Sequence, residues 1–314
     1  MAWQWFFLGE HKRREIHELL ALIAAWQPDL IVREETEVAG CVAAERVGLP
    51  HAAVQIVARG LPPAVRAATP PRLNALRTAV GLPPDPELEY WARYLVLSPF
   101  PPSLQRADAV VTPTLHVLRP APMGQAGAAG LPDWLTAHRP RPLIYATLGT
   151  AQNHRADVFM KILTGLRDEP VELVVTVGRN QDPGQFGEQP PHVHIERYVP
   201  QSVLYPHCAA VVAHGGSGTL MGALEHGLPL VLLPLGADQP ANAEAAEAAG
   251  VALVLDPVRM TSADVRDAVH AILTQPDYRH HARRLQAEIM ALPEFDHGVR
   301  LLERLARTKT PLWP

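Results

Sequence analysis

Cysteine is nearly absent. Cys41 and Cys208 are the only two in 314 residues, too few for a disulfide framework and not at metal-ligand spacing. A reducing, cytoplasmic setting follows. No excess of positive charge exists either: the formal net charge is −4, which excludes the basic field that nucleic-acid binding requires. Apolar runs are broken by Gly and Pro well short of the roughly 20 residues of a membrane span. The apolar start "MAWQWFFLG" precedes the charged "EHKRRE", the reverse of a secretory signal. Nothing repeats at a solenoid period. Nucleotide fingerprints are missing too, with no GxGxxG and no Gly-Lys-Ser/Thr of a P-loop. There is no Asp-X-Asp metal motif.

What is present is alternation. Asp29–Val32, His51–Val57, Ala109–Pro113, Leu143–Gly149, Glu172–Gly178, His192–Val199, Ala209–His214, Leu228–Pro234 and Val251–Leu255 read as strands. Between them, Glu15–Trp26, Val38–Val47, Asp157–Leu166 and Leu220–Glu225 carry apolar residues at helical spacing. Such a pattern builds parallel sheets covered by helices, an α/β fold. A boundary is expected in "LHVLRPAPMGQAGAAGLPDWLTAHRPRP", rich in Pro, Gly and Ala without clean periodicity. The expected domains are 1–115, a linker 116–142, a second sheet domain 143–290, and a terminal segment 291–314. The last contains an amphipathic helix, Phe295–Arg307, that crosses back to the first domain.

The chemistry concentrates in "VVAHGGSGTLMGALEHGLPLVLLPLGADQPANA", Val211–Ala243. A strand ending at His214, a glycine turn and a helix starting near Thr219 gather free backbone N–H groups at the positive end of a helix dipole. Glycines permit close approach of phosphate oxygens. Ser217, Thr219 and His214 add side-chain donors. A diphosphate suits this chemistry, and so does an ordinary strand–helix turn with no ligand.

The wider segment from Arg197 to Ala243 resembles the donor signature of inverting, nucleoside-diphosphate-sugar glycosyltransferases of GT-B fold. The nearest likeness is to bacterial antibiotic and natural-product enzymes of macrolide and enediyne type. The matching parts are "VPQ" at Val199–Gln201, "HGGSGT" at His214–Thr219, "GLP" at Gly227–Pro229 and "DQ..NA" at Asp238–Ala243, with "LIYATLGT" ahead of them. The resemblance implies two Rossmann-like domains facing a cleft. It implies that Arg197, Val199 and Gln201 meet the nucleotide base. His214, Gly216, Ser217, Gly218 and Thr219 would hold the diphosphate with Thr150, and Asp238 and Gln239 would bind sugar hydroxyls. Asp238 can also be read as a helix N-cap. Implied partners are a small-molecule donor and a hydrophobic acceptor, with no nucleic acid and no membrane; a homodimer is allowed. No cofactor is implied, and the transfer is a metal-independent displacement with inversion.

Two departures stand out. UDP-sugar users in the family commonly carry a glutamate eight residues after the motif histidine; here Gly222 stands there. That favours a dTDP-sugar, whose deoxyribose lacks the 2′-hydroxyl, with Glu225 as a substitute contact. Second, the N-terminal segment "PDLIVREETEVAGCVAAERVGLPHAAVQ" looks like the middle of the acceptor domain, so the family's opening strand and Gly-His loop are not found ahead of it. The expectation is a first domain truncated at its N-terminus. Without that loop no catalytic base is assigned. The histidines left in the first domain are His11, His17, His51 and His116, of which His51 reads as structural. Glu34 and Glu35, after the first strand, are the acids placed to orient a base or, equally, to favour a helix N-terminus. Three functions remain: a glycosyltransferase, a catalytically incomplete nucleotide-sugar-binding protein or auxiliary partner, and an epimerase of the same architecture.

Overall fold

The computed structural model describes residues 9, 11–58, 63–105, 112–120, 132–136, 140–151 and 153–314. The chain divides into two compact units, residues 1–119 with 292–314, and residues 120–291.

In the first unit, α1 (His11–Trp26), β1 (Ile31–Glu34), α2 (Val38–Val47), β2 (His51–Val54), α3 (Pro63–Ala79), β3 (Leu95–Ser98) and β4 (Leu115–Val117) follow one another. The four strands form one parallel sheet in the order β1-β2-β3-β4. Local chemistry fixes α2 sharply. The Glu37 carboxylate accepts the Ala39 and Gly40 N–H groups at its start. Gly48 ends it in the left-handed region, at φ 71°. Every residue from Val38 to Ala44 is buried, so the helix lies inside the unit.

Two elements depart from expectation. β3 is not legible in the sequence because its three apolar residues and one serine, "LVLS", all buried, have no period that separates strand from helix. β4 lies inside the stretch read as linker, being only three half-buried residues between a turn and a proline. Of the strand expected at Ala109–Pro113, residues 109–111 lie outside the described residues, and Thr112 and Pro113 are not in a strand. The chain returns to this unit through α11 (Phe295–Thr308). Leu301, Leu305 and Leu312 pack with Ala52, Leu95, Leu97 and Leu118, and the Arg119 N–H donates to Pro293 O at 2.8 Å.

The second unit contains α4 (Asp133–Thr136), β5 (Leu143–Thr147), α5 (Ala156–Leu166), β6 (Glu172–Thr176), β7 (Val193–Glu196), α6 (Gln201–Leu204), β8 (Cys208–Ala213), α7 (Ser217–Glu225), β9 (Leu230–Leu232), α8 (Gln239–Ala248), β10 (Ala252–Val254), α9 (Ser262–Thr274) and α10 (Pro276–Ala291). Its six strands are all parallel, ordered β10-β9-β8-β5-β6-β7. Counted from β5, this is the 3-2-1-4-5-6 order of a dinucleotide-binding sheet. Strand order reverses between β5 and β8. Beyond the carboxyl ends of those two strands the chain must diverge, which leaves a crevice. β5 is buried at all five positions and β8 at five of six, so both hold their C-terminal loops on a rigid base. Each fully buried Val or Leu there contributes roughly 1.5–3 kcal/mol.

Candidate functional site

The glycine turn leaves β8 at that reversal. His214 follows Ala213, Gly215 turns the chain at φ 86°, and α7 begins at Ser217. Gly216 stands at the N-cap and offers no side-chain cap. The amides of the first helical turn have no acceptor within the helix. Among the described residues, Asp238 Oδ2 takes up that of Ser217 at 3.1 Å, and the helix's own ladder begins with Leu220 N–H on Gly216 O at 3.0 Å.

His214 stands between two glycines. A Cβ at Gly149, in the loop after β5, or at Gly216 would lie 2.6 Å from the ring Nε2. Neither position can carry a side chain while the ring stays there. Burial lowers the His214 pKa to about 4, so the imidazole is neutral at pH 7 and carries one N–H. Its Nδ1 is buried and has no hydrogen-bond partner. An unpartnered polar atom in this place costs free energy that a hydrogen-bonding partner reaching Nδ1 would offset.

The loop between β9 and α8 closes the other side. Asn242 is fully buried; its Nδ2 donates to Gly215 O (3.2 Å) and to Asp238 Oδ2 (2.7 Å). Gln239 Oε1 accepts the Leu235 and Gly236 N–H groups at 2.7 and 3.2 Å. The amide of Gln239 is therefore half committed to shaping its own loop. Asn242 is the asparagine of the "DQ..NA" motif, a position to which the sequence alone assigns no role.

Other residues of the expected site fall less evenly. Thr150 is exposed in the loop after β5, and Ser217, Gly218 and Thr219 open α7. Val199 is buried. Arg197 is spent on a neighbouring loop, donating to Gln181 O (2.8 Å) and Asp182 Oδ1 (3.1 Å). Gln201 turns inward. Its Nε2 donates to the Tyr145 hydroxyl (3.2 Å) and to Thr219 Oγ1 (3.3 Å), and Tyr145 shares a hydrogen bond with Thr176 Oγ1 (2.9 Å). The side chain thus locks the "VPQ" segment to α7. The aromatic surface beside "VPQ" is Tyr198 instead, 52% exposed, with the Arg179 guanidinium 4.1 Å from its ring centroid. Gln201→Leu is expected to lower stability by about 1–2 kcal/mol in urea unfolding. Unchanged stability with lost nucleotide binding would show instead that the amide faces ligand.

Gly222 has a packing reason. A Cβ there would lie 2.7 Å from Cε2 of Tyr205, a ring only 1% exposed. The missing side chain therefore makes room for tyrosine, a packing role that Gly222 has whichever nucleotide is bound. Glu225 ends α7, three residues and about 4.5 Å along the axis beyond Gly222 at 1.5 Å per residue.

In the first unit the weighed acids and histidines are engaged locally. Glu34 accepts from the Thr36 N–H (2.7 Å) and hydroxyl. Glu35 is buried and accepts the Ile56 and Val57 N–H groups; burial raises its pKa to about 7, against the lowering effect of those bonds. His51 is buried beside Tyr90 O (2.9 Å), with a pKa lowered to about 3 by burial and by the Arg33 charge. His116 meets Leu312 O at 3.3 Å and His17 meets Arg13 O at 2.7 Å. His11 is exposed on α1 near Glu15.

Comparison with known proteins decides the family. The N-terminal domain of the erythromycin biosynthesis protein CIII-like family matches residues 2–149, and its C-terminal domain matches residues 160–305. The chain belongs to this family of antibiotic glycosyltransferases. It is 33% identical over 319 residues to a 10-deoxymethynolide desosaminyltransferase of Streptomyces venezuelae, covering 96% of this chain and 74% of the relative. It is 31% identical to a tylactone mycaminosyltransferase of Streptomyces fradiae, covering 92% and 68%. Among solved structures, the spinosyn forosaminyltransferase SpnP superposes with a TM-score of 0.75 at 26% identity, covering 98% of this chain and 82% of its own. The glycosyltransferase VinC, in complex with dTDP, gives 0.75 at 25%, covering 98% and 79%. Two parallel-sheet units in GT-B manner are thus what this family member shares with its relatives. Among the described residues no helix is long and apolar enough to cross a membrane.

Proposed function

We propose that this family member transfers a sugar, deoxygenated in type, from a nucleoside diphosphate to a hydroxyl of a small hydrophobic natural product, with inversion and without a metal ion. The observation that carries the reading is the neutral, partnerless His214 held between two glycines at the start of α7. One imidazole N–H, the free first-turn amides and the helix dipole together suit a diphosphate whose charge grows as it leaves. The acceptor oxygen would attack the anomeric carbon from the face opposite the phosphate. The bond from that carbon to the β-phosphate oxygen breaks as the new one forms, and the acceptor proton passes to a base. Tyr198, flanked by Arg179, offers a stacking face for the nucleobase.

The choice of dTDP as the nucleotide rests on the relative solved with dTDP bound. Arg197 and Val199 are proposed only to frame the base segment. Asp238 and Gln239 are proposed to face the sugar.

Calorimetry with dTDP and UDP tests the reading. His214→Ala is expected to weaken dTDP by about 1.5–3 kcal/mol, roughly ten- to hundredfold. Because His214 stays neutral down to about pH 4, wild-type affinity should show no histidine step near its ordinary value of 6.5. Unchanged affinity in the variant would remove His214 from the site. A second reading, a nucleotide-sugar-binding protein without turnover of its own, is favoured by the local engagement of Glu34, Glu35, His17, His51 and His116. Release of dTDP from dTDP-sugar in the presence of a macrolactone acceptor would rule it out.

A further inference from the structure

The turn that offers N–H groups to an anion already holds one. Asp238 Oδ2 takes the Ser217 amide at 3.1 Å and Asn242 Nδ2 at 2.7 Å, both neutral donors. Burial raises the Asp238 pKa, and hydrogen bonds from Ser217, from its own N–H and from Asn242 lower it; no cation is among the groups acting on it. The one titratable group on the adjoining turn, His214, is neutral at pH 7. So, among the described residues, a carboxylate without a counter-charge stands at the mouth of the proposed diphosphate site.

We propose that Asp238 discriminates by charge between the sugar nucleotide and the spent nucleotide, disfavouring a terminal phosphate relative to one esterified to sugar. The inference rests on the donor-site reading above and adds a property to it. While the β-phosphate is bonded to sugar it carries one charge. Once the sugar has left, the now terminal phosphate gains a second charge above about pH 6. A diphosphate held by the first turn of α7 brings that added charge within several ångströms of Asp238. Across effective dielectrics of 20–80, one extra unit charge at about 6 Å corresponds to roughly 3- to 100-fold in affinity. The carboxylate that can accept from sugar hydroxyls in the donor thus becomes a repulsive neighbour in the product, and release is favoured.

The test uses calorimetry on the full chain, with dTDP and dTDP-glucose as probes, for the wild type, Asp238→Asn and Asp238→Ser. Serine keeps an oxygen for the Ser217 amide and guards against a defect peculiar to asparagine. At about pH 8 both variants should bind dTDP about tenfold more tightly, while dTDP-glucose binds equally or more weakly. At about pH 5.5, where the terminal phosphate carries a single charge, the gain for dTDP should shrink. If wild type binds dTDP and both variants bind it no more tightly, or if both ligands shift by one common factor, the inference is overturned. Failure of the wild type to bind either probe would overturn the donor-site reading itself, and the inference with it.

Discussion

Gly222→Glu is expected to cost the second unit its fold instead of redirecting nucleotide preference. The Cβ would meet Tyr205 Cε2 at 2.7 Å and both Cζ and the hydroxyl oxygen at 3.3 Å. That ring has no room to retreat. It is 1% exposed, its hydroxyl donates to Thr219 O (3.3 Å), and the His226 and Tyr145 rings lie 5.3 and 6.0 Å from it. Overpacking of this sort costs about 1–3 kcal/mol. A carboxylate at this point of α7, where every residue from Thr219 to Leu224 is buried, adds several more because no cation is supplied with it. The expected result is loss of more than about 4 kcal/mol, read as insoluble protein or collapse of the urea transition. Gly222→Ala is the finer probe. Alanine gains about 1 kcal/mol of helix propensity over glycine, so a variant more stable than wild type would show that Tyr205 can yield. The preference between dTDP and UDP is then a question for the wild-type chain alone.

That case shows how far the sequence could be read. The glycine turn, the histidine before it and the strand on either side were legible because each leaves a local mark: glycines where backbone must turn, apolar runs where strands are buried on both faces. α2 was legible to the residue, since both of its ends are set by nearest neighbours, Glu37 and Gly48. Gln201 and Gly222 were not. Their surroundings are set by Tyr145 and Tyr205, which are remote in chain or on another element, and a motif does not say whether a side chain points at ligand or into the core. Arg197 illustrates the same limit, since its partners Gln181 and Asp182 come from a different loop. β3 was lost for a different reason, its three apolar residues and buried Ser98 having no period to betray them.

Acid should destabilise the first unit through His51, with Glu35 opposing it over part of the range. The His51 ring is 1% exposed and its folded pKa is about 3, against 6.5 in the unfolded chain. Between these values the unfolded state binds more protons, so stability is lost as pH falls from about 6.5 towards 3. A shift of this size corresponds to about 4–5 kcal/mol when complete. Glu35 has the opposite sign. Its folded pKa, raised to about 7 from 4.5, makes the folded state bind more protons between those values, so its contribution grows as pH falls from 7 to 4.5. At neutral pH the buried carboxylate is instead a cost, of about 3 kcal/mol when fully ionised. Comparing wild type with Glu35→Gln isolates the second effect from every other titrating group. The stability difference, wild type minus variant, should rise by about 3 kcal/mol between pH 7.5 and pH 4.5 in urea unfolding. The matching comparison with His51→Gln should fall by about 4 kcal/mol between pH 6.5 and pH 3. A Glu35 difference that does not move with pH would make this an ordinary ionised carboxylate despite its burial. It would then be fit to orient a base, the role that its bonds to Ile56 and Val57 otherwise leave to some other group.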